Sequence, residues 1–549
     1  MHRHNDLKVL FISLVLLSLI LSACQMSKTD GDASSNKYEA LVALFEEFRE
    51  FQKPTLNNWI PDYSAAAMKE KARGLKEFQE RLTAIDISTW PVSQKVDYHL
   101  VRAEMNGLDF YLRVLKPWSR DPVFYLPSQG GAGPVIDMNL RLRRRRSLDM
   151  DSVDEVREKL KAIPKIYEQA KTNLTEAAGD MADIAIHVYE RDASMYLRLA
   201  AQLAEDHPDL VDDAKIAAEA VEDYGKWLKE NKHKMTAPGG IGIENYNWWL
   251  KNVHLFPYTW QECKTIVEHE YSRIITFLKL EEHRNRKLPP LEVADTSEKY
   301  YRSMDQALNY VVEFLRDEEI LTVPDWLNPA DYSDPSKPRR EFTAEDFANS
   351  SIDLKARQRE ILPGETHEFI GHLFDGQREE RDKRIIRSAR RLYNMGWIRS
   401  EGWAAGSEEL LMQAGVLDKR PRRGREIEYL MNASHMSLSI PDLKMHSNEI
   451  TFAEARKLCA EIMPYEWSQE DERMVWYEQQ SNLRFPGFHT GVVVGKAQFT
   501  KLFKDRAMQL GKDFVLRDFM DEFLAAGVIP MSLIRWEMTG FEDEIKELW

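Results

Sequence analysis

Apolar residues return along this chain every three or four positions, the spacing that gathers side chains on one face of an α-helix. Leu41, Leu44, Phe45 and Phe48 follow it, as do Ile163, Ile166, Ala170, Leu174 and Ala177, and later Ile266, Ile274, Phe277 and Leu278. Runs that alternate at every second position, the mark of a half-buried strand, are scarce. The pattern predicts a mostly α protein with few or no strands. Breaks rich in proline and polar residues fall at Pro122 to Pro134, Thr236 to Gly242 and Pro324 to Asp346. None is long enough to separate an independent domain, and no repeat of solenoid period is present. Residues 37–549 therefore read as a single large multi-helical unit, with room for two lobes around a central cleft.

The beginning of the chain breaks the pattern. His2, Arg3, His4 and Lys8 form a basic start, Val9 to Ile20 is apolar but too short for a comfortable membrane span, and Leu21-Ser22-Ala23-Cys24 closes the stretch with small residues. This ending resembles the lipobox of bacterial lipoproteins, which implies a signal peptide over 1–23, cleavage before Cys24, and a lipid on Cys24 that anchors the chain to a membrane. An ordinary secretory signal with an incidental cysteine is the alternative. Residues 24–36 are small and polar and read as a flexible tether. The expected location is the bacterial cell envelope. Gln25, where aspartate would retain the chain, favours the outer membrane in a Gram-negative cell, facing the periplasm or the exterior.

Composition narrows the partners. A formal charge of −15 argues against a nucleic-acid binder, and Arg143-Arg144-Arg145-Arg146 reads as a solvated or ion-paired helix face. With 43% hydrophobic residues the chain can bury a large core. Only Cys263 and Cys459 accompany Cys24, so no disulfide framework is implied. Gly130-Gly131-Ala132-Gly133 lacks the Gly-Lys-Ser/Thr of a phosphate cradle and reads as a loop. The aromatic stretch Ile243 to Leu250 reads as core, with Tyr246 held as a secondary candidate for polarising a substrate carbonyl.

The chemistry is concentrated in Thr366-His367-Glu368-Phe369-Ile370-Gly371-His372 and, further on, Ser400-Glu401-Gly402-Trp403-Ala404. A histidine followed at once by a glutamate supplies a neutral nitrogen ligand and a carboxylate that can take a proton from water at a metal. Glu401 supplies an oxygen ligand from a second helix. Three protein ligands with one open position is the catalytic arrangement of zinc. In the common form of this motif the histidines stand four apart, on one helix face. Here they stand five apart, a rotation of about 500°, so both can face one ion only if the helix widens into a π-type turn. Gly371 sits where that distortion is most easily absorbed. Glu408 shares a face with Glu401 and is expected to orient a histidine ligand from behind, a role also open to Asp375. His269-Glu270, by contrast, has no partner histidine and reads as surface helix.

His-Glu-Phe-Ile-Gly-His, Glu-Gly-Trp-Ala and Glu408 resemble the DUF885 family of bacterial proteins, itself similar to gluzincin metallopeptidases. Asp442-Leu443-Lys444-Met445-His446, Pro486-Gly487, Gly495-Lys496 and the ending through Leu510-Gly511, Phe514, Phe519, Leu524, Gly527 and Pro530 extend the likeness over 355–537, with a weaker match at 243–260. The resemblance implies a helical zinc-peptidase-like fold, zinc ligation by His367, His372 and Glu401, and a general-base role for Glu368. This chain departs from the family in lacking a proline before His372, which makes its motif closer to the His-Glu-x-x-Gly-His of dipeptidyl peptidase III. It also carries Gly406 and Val492 where the family has tyrosines. Those phenols are suited to an oxyanion, so His489, His446 or Arg484 become the candidates to replace them.

The expectation is a one-zinc amide hydrolase, a peptidase of carboxypeptidase or dipeptidase type acting on short peptides, with Glu368 moving the proton. A lipid-anchored binding protein with a vestigial or structural metal site, or a hydrolase of a non-peptide amide, are the alternatives.

Overall fold

A computed structural model describes residues 37–126, 150–334, 339–348 and 351–549. The signal peptide, Cys24, the tether, Gly130-Gly131-Ala132-Gly133 and Arg143-Arg144-Arg145-Arg146 lie outside the described residues. The fold is a large assembly of helices. Its one sheet among the described residues is a pair of two-residue antiparallel strands, Leu56–Asn57 and Ile60–Pro61. No helix among the described residues is long and apolar enough to cross a membrane.

Two hydrophobic clusters organise the helices. The smaller is built on α1 (Met150–Asn173), α2 (Gly179–Asp206) and α3 (Val211–Asn231). Small residues at helical spacing, Ala214, Ala217, Ala218 and Val221 on α3, let it pack closely on α1 and α2. The larger cluster holds Leu41, Leu44, Phe45 and Phe48 of the first described helix together with most of the carboxyl-terminal half. Met445, Phe452 and Leu483 of that half pack into the smaller cluster, so the two cores share a seam.

The larger core contains α4 (Trp260–Asn285), α5 (Met395–Ala414), α6 (Gly424–His446) and α8 (Phe488–Leu510), while α7 (Arg473–Arg484) lies at the seam with Leu483 in the smaller cluster. A capping box fixes the start of α4: Thr259 accepts from the Glu262 N–H, and the Glu262 carboxylate accepts from the Thr259 N–H. Helix α5 forms despite its glycines because they are contact points. A Cβ on Gly402 would stand 2.5 Å from the Gly495 carbonyl carbon, so α5 and α8 touch backbone to backbone there.

Two expectations on α4 change. Phe277 is 39% exposed, stacked on Tyr429 with the Arg273 guanidinium over its ring, and so lies outside the core. Glu270 is drawn from the expected surface face into ion pairs with Arg273 and Lys496, because α8 packs against α4 and brings its lysine inward. His269 is exposed as expected. Cys263 and Cys459 are both buried and free.

Candidate metal centre

The backbone from Thr366 to Leu373 is π-helical, the widened turn that the five-residue spacing requires. Gly371 permits it to lie against α5: a Cβ there would meet the Ala404 Cβ at 2.5 Å. This approach brings His367, His372 and Glu401 together. The Nε2 atoms of the two histidines are 3.0 Å apart. Glu401 Oε1 lies 3.2 Å from His372 Nε2, and Oε2 lies 3.5 Å from His367 Nε2. A tetrahedral ion with bonds of about 2.0–2.1 Å needs donor atoms separated by roughly 3.3 Å. The three distances bracket that value, and the donor set fits zinc.

The far side of each ring is held. Glu408 Oε1 accepts a hydrogen bond from His367 Nδ1 at 2.5 Å, which turns Nε2 toward the other two groups. His372 Nδ1 is 3.0 Å from Ser400 Oγ. Electrostatics point the same way. Burial opposes a positive charge on His367, yet its hydrogen bonds with Glu401 and Glu408 outweigh burial and hold the imidazole well above its ordinary pKa. Burial likewise pushes Glu401 up, and His367 and His372 hold it well below the carboxylate range instead. Glu408, buried too, is brought down to about 2 by His367 and His435. Two buried carboxylates around facing imidazoles make a place that favours positive charge.

This constellation opens on a cavity of about 440 Å³ lined by His367, Glu368, His372 and Glu401, together with His435, Glu478 and His489 and with Leu438, Met431, Met463 and Val492 as apolar wall. The Glu368 side chain is 43% exposed, and its Oε1 lies 3.5 Å from Arg357 Nη2. Arg357 is held in turn by Asp353 and by Glu365, which accepts from Nη1 at 2.7 Å. Gly364 leaves room for it: a Cβ there would meet the guanidinium carbon at 2.7 Å. Burial raises Glu365 to about 7, against the pull of Arg357.

Several expected site residues stand elsewhere. Asp375 is buried in a bidentate pair with Arg399 of α5 and reaches no histidine, because that guanidinium takes both carboxylate oxygens. His446 is fully buried, donating from Nε2 to the Asn482 carbonyl at 2.9 Å, and burial lowers it to about 4. Arg484 is held by Asp121, its Nε 2.7 Å from Oδ2. Tyr246 is buried against the His446 ring. None of these four lines the cavity. His489 does, but its Nδ1 donates to Asn482 Oδ1 at 2.7 Å and burial lowers it to about 3, so its cavity-facing Nε2 is an acceptor rather than an oxyanion donor.

Two cavity residues carry no motif in the sequence. The His435 ring lies 5.7 Å from that of His367, with Nε2 3.9 Å from Glu408 Oε1. Glu478 is 9% exposed, and burial, with the Glu401 charge behind it, raises it to about 8. At the positions of the missing phenols, Gly406 packs so that a Cβ would meet Phe499 at 3.0 Å, and Val492 lies in the cavity wall.

A family model described as bacterial protein of unknown function (DUF885) matches residues 50–325 and 329–538. No curated protein matches the chain. Two solved structures resemble it throughout. One is of a protein of unknown function from Shewanella oneidensis described as a candidate lipoprotein, with TM-score 0.65 and 16% identity over 92% of this chain and 98% of that one. The other, from Colwellia psychrerythraea and described in the same way, gives TM-score 0.67 and 14% identity over the same shares. At these identities the likeness is one of fold.

Proposed function

This chain belongs to the DUF885 family, and since that family is described as bacterial proteins of unknown function, we propose an activity from the site itself: a zinc-dependent hydrolase of amide bonds in short peptides. The observation that carries the reading is the meeting of His367 Nε2, His372 Nε2 and Glu401 at 3.0–3.5 Å beside a half-exposed Glu368 in one cavity. The resemblance of the His-Glu-x-x-Gly-His motif to that of gluzincin peptidases supports the same reading.

His367, His372 and Glu401 would hold the zinc, which would supply Lewis acidity for activating a water and polarising an amide carbonyl. Glu368 takes the proton of the attacking water and delivers it to the departing amine. Arg357 sets the direction of the Glu368 carboxylate. Glu408 keeps His367 Nε2 turned inward, and the apolar wall keeps bulk water from competing. A structural ion is the weaker reading, since structural zinc sites close with four protein ligands and have no use for a free carboxylate at the mouth. We further propose that Cys24 carries a lipid anchor. The small-residue stretch before it supports this, as do the descriptions of the two structural relatives.

Metal analysis of the purified chain should find about one zinc per molecule, lost in His367→Ala. Glu368→Gln should keep the metal and lose hydrolysis of a di- to pentapeptide panel by about 10²–10⁴-fold. Retained activity in Glu368→Gln would remove the reading.

A further inference from the structure

The charge on the cavity wall is lopsided. Asp353, Glu368, Glu401, Glu472 and Glu478 line it, and its one arginine or lysine among the described residues is Arg357, already engaged by Asp353, Glu365 and Glu368. Away from the ion proposed at His367, His372 and Glu401, a substrate carboxylate entering this space finds no uncommitted cationic side chain among the described residues. A substrate cation finds acids.

Glu478 is the acid with least compensation. It extends from α7 into the cavity, nine-tenths buried, and makes no hydrogen bond among the described residues. Its nearest basic nitrogen is His489 Nε2 at 3.4 Å. That nitrogen carries no proton of its own, and the reason is geometric. The Asn482 amide donates from Nδ2 to the Leu438 carbonyl at 2.9 Å, which fixes Oδ1 toward His489. Oδ1 accepts from the His489 backbone N–H at 3.2 Å and from Nδ1 at 2.7 Å, so the single ring proton is on Nδ1. Without a cation beside it, burial keeps the Glu478 carboxyl protonated, and it ionises only against a donor that carries charge. To such a donor the cavity offers two acceptors side by side, the Glu478 carboxylate and the imidazole lone pair of His489.

We propose that Glu478 and His489 form the seat for a primary ammonium group of the substrate, one N–H pointing to each. This deepens the hydrolase reading and rests on it for the bond cleaved: the peptide would be held by its amino end or by a lysine side chain. It points away from a carboxypeptidase.

The test compares three peptides of equal length with the zinc-loaded wild type: a free amino terminus without lysine, the same peptide N-acetylated, and the N-acetylated peptide with one lysine. The expected result is a loss of kcat/KM of about tenfold to hundredfold on acetylation. Recovery by lysine would identify a side-chain ammonium as the ligand, and no recovery the α-amino group. Glu478→Gln should erase the preference between the free and the acetylated peptide. Equal rates on all three peptides with the wild type, which needs no variant to fold, would overturn the proposal, as would a preference that survives Glu478→Gln. Binding of the same peptides to Glu368→Gln, followed by calorimetry, reads the ammonium seat without any bond breaking. A failure of hydrolysis is thereby told apart from a failure of this site.

Discussion

Glu408 shows how much one side chain can decide. It does not itself line the cavity, yet its 2.5 Å hydrogen bond holds the His367 ring that does. Glu408→Gln should weaken zinc binding about 10–100-fold, measured by chelator competition, with the helical signal in circular dichroism unchanged. Its sequence neighbour Glu409 serves the fold instead, between Arg273 and Lys496. Burial would raise its pKa, but those two cations bring it down from 4.5 to about 2. A carboxyl depressed in the folded state adds stability that is complete above about pH 4.5 and is lost as the pH falls toward 2. The shift corresponds to on the order of 3 kcal/mol. Denaturant unfolding across that window should therefore show a shallower acid limb in Glu409→Gln than in the wild type. Of these adjacent acids, spacing from Glu401 identified the role of Glu408. Nothing local foretold Glu409, whose partners come from α4 and α8.

At the scale of elements, glycines set the distances between helices. Gly402 lies on Gly495, and Gly371 on Ala404, and these two contacts deliver Glu401 to the histidines. Gly402→Ala should cost about 1–3 kcal/mol through overpacking and should also reduce zinc occupancy, because α5 must move away from α8. Gly376 offers the contrast: a Cβ there meets nothing within 4 Å, so Gly376→Ala in its helix should be neutral or stabilising by up to about 1 kcal/mol. Thermal unfolding of the pair, with metal content alongside, checks both. The π-helical turn was legible because two histidines at a forbidden spacing leave a helix few other ways to face one ion. Asp375 was misread for the opposite reason. Its distance from His372 along the helix was suggestive, but Arg399, brought in by a different helix, is the stronger partner.

The whole molecule joins a small helical core to a large one through Met445, Phe452 and Leu483, with the cavity in the large one. The proposed lipid anchor at Cys24 belongs to this scale, since it would hold the whole folded body at a membrane. In a Gram-negative host, the full chain should fractionate with membranes and incorporate labelled fatty acid. Cys24→Ala should abolish the label and release the protein into the soluble fraction. A label that persists in Cys24→Ala would sink the anchor.

Helical class, the π-type turn and the identity of the three candidate donors could be read along the chain, because each follows from the periodicity of one helix or from a motif a few residues long, while the meeting of the donors depends on the approaches at Gly371 and Gly402. The chain also carried its family likeness there. Tertiary structure alone decided that His446, Arg484 and Tyr246 turn away from the cavity, that Glu270 is drawn inward, and that His435, Glu478 and the acceptor face of His489 look into it. Those outcomes depend on which helices cross and how closely, a property of packed surfaces distant in sequence that no local spacing encodes.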